Sequence, residues 1–486
     1  MRRREFIVGM GSVAAWPLIA RAEAPGSYLA DRLAAYADGL QFADLDAATI
    51  EAAKAHLIDA LGCAISALDE EPVRICREVA VATGGRAATI LGAGDKTTVD
   101  LAAFANGVAV RYYDLNDFYF ARGSGHPSDN VTPCLAVGEA EQANGEALLT
   151  AIVLAYEIDC RLMDAAELGN RGWDHPIYSL PAAALAAGKL MRLGPKKLSQ
   201  AVNIALNGHI AMNQTRLQAL SDWKGVADAE AGRNAVFAAQ LARAGLTGPA
   251  PIFEGEAGLF KQVTGPFELD VGAFGGRGQG ARFKVRDCSI KPYPAQGYSQ
   301  TAIPAAVAVA QEAGGTARIA KIEVATTRVG YSNAGRDPEK WAPKTRETAD
   351  HSLPYIVARA MFDGDITNAS YAPDKLSDPR ILDFMKKITV REDPALTALQ
   401  PKAVPNRVTA SLDDGRTVSR QVNDLPGFAE RPIERPDIER KFRGNVAGRL
   451  TAQQARAALD TLWNLERQNG VGPVIASLAV RSSAGP

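Results

Sequence analysis

Apolar residues return every three or four positions through the first half of the chain. Between Ala47 and Leu68, Ile50, Leu57, Ile58, Leu61, Ile65 and Leu68 fall on one stripe, and Glu51 and Lys54 lie off it. That period predicts an amphipathic helix. Alanine-rich segments at 147–160, 180–193, 199–212 and 227–244 repeat it, with Gly or Asn near many of their ends. After Gly265 the pattern changes. A glycine-rich passage leads into β-rich runs at 282–290, 319–329, 388–391, 407–412 and 417–422. The last two flank Asp413-Asp414-Gly415, a hairpin signal. Helical stretches at about 300–313, 353–363 and 378–386 separate these runs, and the chain turns helical again at its end, notably over 451–467. The expectation is a mainly α protein with an α+β second domain. A large all-helical domain is formed by both chain ends (25–268 and 431–486), and a smaller α+β domain (269–430) is inserted between them. A length of 486 residues, too great for one ordinary core, agrees with two domains.

Composition narrows the function classes. With 47% hydrophobic and 22% charged residues the chain reads as globular. A formal charge of −1 and only 7% aromatics argue against nucleic acid as a partner. Residues 1–24 place three arginines ahead of a short apolar run and Ala20-Arg21-Ala22, the layout of a secretory signal. Arg3-Arg4-Glu5-Phe6-Ile7 is similar to the twin-arginine motif. The expected location is periplasmic or secreted, with export machinery engaging residues 1–22 and a cytoplasmic protein as the alternative. Cleavage after Ala22 removes a net three positive charges and leaves a mature chain at −4. No segment is long and apolar enough for a stable membrane span. The five cysteines are odd in number and lack C-x-x-C spacing, which points to buried free thiols rather than a disulfide framework or a zinc site.

Two glycine motifs are decoys. Gly276-Arg-Gly-Gln-Gly-Ala281 satisfies G-x-G-x-x-A but is preceded by a loop and followed by a β-like run. Gly92–Thr97 lacks the Gly-Lys pair of a phosphate loop. The chemistry concentrates elsewhere. Arg111 to Asn130 holds Asp114, Asn116, Asp117, His126, Ser128 and Asp129. Asp114 and Asp117, three apart, share a helical face, so their repulsion should raise one pKa. Ser128 or Asp129 is a natural cap for the next helix, and Ser179 for the helix after Asp174-His175. Further groups stand at Trp223-Lys224-Gly225, at Lys291 to Gln300, and at Asp350-His351-Ser352. Each puts a cation or imidazole in a loop just before a helix N-terminus, where free N–H groups favour anions. His56 and His209 sit inside helical patterns and read as structural.

These pieces resemble the MmgE/PrpD family, which includes 2-methylcitrate dehydratase, cis-aconitate decarboxylase and iminodisuccinate epimerase. The matching residues are Tyr113-Asp114-Leu-Asn116-Asp117, Gly125-His126-Pro-Ser-Asp129-Asn130, Asp174-His175, Trp223-Lys224-Gly225, Gly245-Leu-Thr-Gly-Pro249, Lys291-Pro-Tyr-Pro, Ser299-Gln300-Thr301 and Ala349-Asp-His351-Ser-Leu-Pro-Tyr355. The resemblance implies a helical domain plus an α+β domain, an active site between them, a homodimer, and no metal or organic cofactor. It implies Asp114, His126, His175 and Lys224 as catalytic residues. Asn116, Asp117, Ser128, Lys291, Tyr298 and Gln300 are the expected substrate-binding residues. The histidine that relatives often carry at the position of Tyr298 or Gln300 is missing here, and Phe118 stands where the dehydratase branch often has Thr. The Gly-His-Pro-Ser-Asp-Asn and Gln-Thr-Ala stretches are most similar to that branch.

The implied reaction is a hydro-lyase step on a 2-methylcitrate-like polycarboxylate, with proton loss α to a carboxylate and expulsion of a β-hydroxyl. Lys224 and Lys291 are the expected stabilisers of developing charge. His126 or His175 serves as base, and Asp114 as acid or as orienter of a histidine. Decarboxylation or epimerisation of a related di- or tricarboxylate is the alternative on the same fold. A non-catalytic exported polycarboxylate-binding protein is the alternative from another class.

Overall fold

The computed structural model describes residues 28–92, 94–276 and 281–480. The export motif and residues 277–280 of the Gly276–Ala281 run lie outside the described residues. The first helices are α1 (Leu29–Gly39), α2 (Ala47–Ser66), α3 (Glu71–Thr83), α4 (Val99–Arg111), α5 (Val131–Ala140), α6 (Gly145–Ala165), α7 (Pro176–Leu190), α8 (Pro195–Gly208) and α9 (Ala227–Ala244). Asp46 caps α2 by accepting from the Thr49 N–H, and Asn144 caps α6 by accepting from that of Ala147. Alanine-rich α7 is the hub. Its small side chains let α6, α8 and α9 pack closely around it, and the resulting apolar core takes in residues from Leu29 to Ile290. Two short hairpins decorate this body, β1 (Ala88–Thr89) with β2 (Lys96–Thr97) and β3 (Tyr119–Phe120) with β4 (Ser124–Gly125). Of the phosphate-loop decoy, Gly92, Gly94 and Asp95 lie between the strands of the first hairpin, and Lys96–Thr97 are β2.

The second body is built on a four-stranded sheet of β5 (Ile319–Thr326), β6 (Ile388–Glu392), β7 (Asn406–Leu412) and β8 (Thr417–Val422), in the order β6-β5-β7-β8. The β5–β6 pair is parallel and the others antiparallel. Alternate residues of β7 are buried, and α10 (Ala302–Ala313) covers that face. Four further helices follow: α11 (Arg328–Ala334), α12 (Arg346–Ala349), α13 (Leu353–Asp363), which packs on α10, and α14 (Pro373–Leu376). α15 (Pro379–Met385) and α16 (Pro394–Thr397) complete the set. The core of this body runs from Ala295 to Val418 and is separate from the first.

The last helices, α17 (Arg435–Val446), α18 (Ala452–Trp463) and α19 (Gly472–Ser477), return to the first body. α17 packs on α2, where Phe442 meets Gly62, and Leu459, Leu462 and Trp463 join the large core. Gly145, the first residue of α6, fits against this segment so closely that a Cβ would overlap the Leu465 carbonyl oxygen. Gly145→Ala should therefore destabilise the protein by about 1–3 kcal/mol, read as a fall in the midpoint of urea unfolding. A midpoint at or above the parent's would show that the chain end does not dock this tightly.

The structure corrects several sequence expectations. Residues 282–290 are not a strand. Phe283 and Val285 point into the helical core, Lys284–Asp287 form a 3-10 turn, and of this run only Ser289 pairs, in an isolated bridge with Phe118. Among the described residues no strand lies alongside to complete a ladder. Strand β5 stops at Thr326 because Thr327 caps α11 by accepting from the Gly330 N–H. Ser179 is inside α7, which begins at Pro176, and neither Ser128 nor Asp129 caps α5, which follows a 3-10 turn over Pro127–Asn130. Four cysteines are buried and Cys76 is half-buried, all as free thiols. No described helix is long and apolar enough to cross a membrane.

Candidate active site

The chain's polar motifs meet where the two bodies face each other. α4 ends at Arg111, and Asp114 follows in a left-handed conformation, φ 52°, which Asp tolerates better than most side chains. Hairpin β3–β4 then folds back and delivers His126 beside the end of α4. His175 is the N-cap residue of α7, Lys224 lies in the 3-10 turn Asp222–Gly225 before α9, and Asp228 is in the first turn of α9. From the second body come Gln296, Tyr298, Asn333 and His351, the last just ahead of the Ser352 cap of α13.

A cavity of about 70 Å³ lies between them. Asp114, His126, His175 and His351 line it together with Arg111 and Arg216, and Phe118, Phe120 and Tyr298 form an aromatic wall. It shares Ser124, His175, Arg216, Tyr298 and Asn333 with a wider vestibule of about 320 Å³, whose rim carries Arg122, Arg328, Arg336 and Glu167.

Buried ion pairs fix the walls. Asp114 Oδ1 accepts from Arg111 Nη1 at 2.5 Å and Lys291 Nζ at 2.6 Å, and Lys224 Nζ stands 3.7 Å from its Oδ2. Lys224 Nζ also donates to Asp350 Oδ2 at 2.9 Å. Arg216 spans Asp174 and Asp228, donating from Nε to Asp174 Oδ2 and from Nη2 to Asp228 Oδ2, both at 3.0 Å. Arg111 Nε donates to the same Asp228 oxygen at 3.2 Å.

These surroundings separate the titratable groups. Burial opposes ionisation of Asp114, but Arg111, Lys224 and Lys291 outweigh it and hold the carboxyl well below the usual range. Burial also disfavours the His175 imidazolium, yet Asp228 and Asp174 override it and raise the group to about 9. His126 goes the other way: burial, Arg111 and Lys291 push it well below 6.5. Burial brings His351 down to about 4 with Lys224 adding to it, against Asp350 and Asp114. Burial lowers Lys291 to about 8, although Asp114 opposes. Asp129 is raised well above the carboxylate range by burial and by Asp228. The cavity thus presents one charged and two neutral imidazoles, a division suited to acid and base roles.

Among the described residues, two groupings have donor atoms close enough for a metal ion, Asp114-Asp350-His351 and Asp129-His175-Asp228. In each, the ionised carboxylates already hold lysine or arginine at hydrogen-bond distance. A cation would have to displace those partners, so the donor chemistry fits an ion-pair network better than a metal centre.

The expected residues divide into three sets. Asp114, His126, His175 and Tyr298 line the cavity. Lys224 and Lys291 are wholly buried behind it, with Nζ spent on Asp350 and Asp114. Asn116, Asp117, Ser128 and Gln300 stand away from the cavity lining. Asn116 donates to Ser128 and Asp129, and Gln300 donates to the carbonyls of Tyr293 and Ala295. Asp117 accepts from the Ser128 N–H and the Tyr156 hydroxyl and faces His56 Nδ1 at 2.9 Å. Asp114 and Asp117 therefore point into different networks, and both pKa values fall rather than diverge. An ionised Asp114 is a hub for cations. Arg111, Arg216, Asp228, Gln296, Asn333 and His351 were absent from the expected set. Arg111 opens the densest polar stretch, whereas Arg216 and Asp228 carry no local signal.

The chain is similar to known proteins along most of its length. The MmgE/PrpD N-terminal domain matches residues 31–271 and the MmgE/PrpD C-terminal domain residues 293–467. The 2-methylcitrate dehydratase of Escherichia coli (strain K12) is 28% identical over 442 residues, 83% of this chain and 87% of that protein. The protein of that name from Cupriavidus necator is 27% identical over 442 residues, 84% and 88% of the two chains. The cis-aconitate decarboxylase of Homo sapiens is 24% identical over 447 residues, 88% and 90% of the two.

Proposed function

The chain belongs to the MmgE/PrpD family, and on that premise we propose that it is a cofactor-independent hydro-lyase dehydrating a 2-methylcitrate-like polycarboxylate. One observation carries the reading. Two guanidiniums, one imidazolium and two neutral imidazoles share the lining of a single cavity. Arg111 and Arg216 bond protein from every guanidinium nitrogen, so a carboxylate meets the second N–H of their Nη atoms, and their charge stabilises the electron density that builds on it as the α-proton leaves. A neutral imidazole takes that proton. The His175 imidazolium gives one to the departing β-hydroxyl, which leaves as water. Lys224 and Lys291 act from behind by keeping Asp114 and Asp350 ionised and immobile. The aromatic wall suits an alkyl substituent better than another charge.

Turnover is tested by offering the purified protein 2-methylcitrate, citrate and related hydroxy acids and following absorbance of the unsaturated product. Inactivity across the panel sinks the proposal. The arginine-rich rim adds a second expectation. Raising ionic strength from about 0.01 to about 0.15 M shrinks the Debye length from about 30 to about 8 Å, so kcat/KM should fall several-fold while kcat holds. A salt-independent kcat/KM would remove the rim from substrate capture.

A further inference from the structure

Three imidazoles line the cavity, and they differ in what their nitrogens touch. His126 Nδ1 is 2.6 Å from the Asp117 carbonyl oxygen, so it carries the hydrogen, and Arg111 Nη2 covers the Nε2 lone pair at 2.9 Å. His175 has a carboxylate oxygen at each nitrogen, Asp174 Oδ1 at 3.0 Å from Nδ1 and Asp228 Oδ1 at 2.9 Å from Nε2. His351 Nδ1 lies 2.6 Å from Asp350 Oδ1. An ionised carboxylate only accepts, so Nδ1 is protonated and the lone pair sits on Nε2. Among the described residues that Nε2 has no hydrogen-bond donor. The carboxylate facing it, Asp114 Oδ2 at 3.8 Å, is itself an acceptor. Asp350 is held in turn by Lys224 Nζ on its other oxygen.

We propose that His351 is the base that takes the carbon-bound proton, with Asp350 as the positioning residue that fixes its tautomer and Lys224 acting through Asp350. The inference rests on the dehydratase reading and adds the identity of the proton acceptor. His351 Nε2 forms an N–H bond, and the C–H electron pair becomes the new C=C bond. The C–O pair leaves with the β-oxygen, which takes a proton from His175 Nε2, an atom in ion-pair contact with Asp228 Oδ1 but outside hydrogen-bond geometry with it, and departs as water. Solvent then removes the proton from His351 and restores that of His175, so protons balance over a turnover. The charged and titratable groups facing His351 are Asp350 and Asp114, Lys224 behind Asp350, and Arg111, His126, His175 and Arg216 around the shared cavity. The pairing of a carboxylate with one ring nitrogen, leaving the other to accept a proton, is a standard way to prepare a histidine base.

The test uses the full chain and the tricarboxylate that the wild type turns over fastest. His351→Gln should lower kcat by about 10²- to 10⁴-fold with KM within about threefold, and added imidazole should restore part of the loss in His351→Ala, which vacates the place of the ring. Asp350→Asn should lower kcat with KM held, and added imidazole should not restore it, because the ring still fills the position. Nitrogen-15 NMR of histidine-labelled wild type, independent of whether the variants fold, should show His351 with a protonated Nδ1 and a bare Nε2 at neutral pH. A His351→Gln protein that folds and keeps kcat within about fivefold overturns the inference, as does a wild-type spectrum with the proton on Nε2. If the wild type dehydrates nothing on the panel, the dehydratase reading falls and takes this inference with it. An active wild type beside an equally active variant removes this inference alone.

Discussion

Replacing Asp114 with alanine is expected to destabilise the folded protein by about 3–5 kcal/mol and to abolish turnover, because it strands buried cations without their shared anion. The carboxylate accepts from Arg111 and Lys291 and lies within 4 Å of Lys224, and all three cationic side chains are nearly or wholly buried. Removing it leaves those charges facing one another in a water-poor site. Asp114→Asn, which keeps the shape and one acceptor oxygen, should lose less stability but as much activity. Urea unfolding at pH 7 reads the difference. The pH dependence has a fixed sign. A carboxyl held well below its unfolded value contributes stability above that value, about 3.9, and loses it as pH falls through the lower folded value. The gap between parent and variant should therefore persist at mildly acidic pH and close only in strong acid. A variant as stable as the parent would mean that the cations do not depend on Asp114.

His175→Gln is expected to lower kcat by about 10²- to 10⁴-fold and to remove the upper part of the alkaline limb of the pH profile. Held by Asp228 and Asp174 against burial, the imidazolium of the parent persists to about 9. A raised pKa sets the direction. The contribution of the charged ring is complete below its unfolded value of about 6.5 and is lost as pH rises through about 9. Parent kcat should fall there. Lys291, at about 8, discharges earlier and shapes the lower part of the same limb. A pH profile of the variant that still breaks near 9 would assign that step to another group.

The fold was legible where period and turn chemistry agree. The stripe from Ile50 to Leu68 is α2, and Asp413-Asp414-Gly415 joins β7 to β8 as an antiparallel pair. It was least legible at 282–290, where apolar alternation is satisfied by a helical core rather than by a neighbouring strand. The site divides in the same way. Asp114, His126 and His175 announce themselves by dense polar loops next to helix ends. His351 shares that signature but stands more than 170 residues further along the chain, and only the meeting of the two bodies brings it to the same cavity. Arg216 lies in an unremarked 3-10 turn and Asp228 in the first turn of α9, and their importance comes from Arg216 bridging Asp174 and Asp228 across the fold. Lys224 and Asn116 show the converse. Their sequence context resembles a binding motif, yet each side chain is spent inside the protein.

The central claim is that this cavity removes water from a polycarboxylate while keeping every carboxylate. Proton and carbon NMR of the reaction mixture in deuterated buffer tests it most directly. Incubation with 2-methylcitrate should convert substrate to an unsaturated tricarboxylate, with loss of the β-hydroxyl and no release of carbon dioxide. Release of carbon dioxide, deuterium exchange at the α-carbon without loss of the hydroxyl, or recovery of unchanged substrate would contradict it.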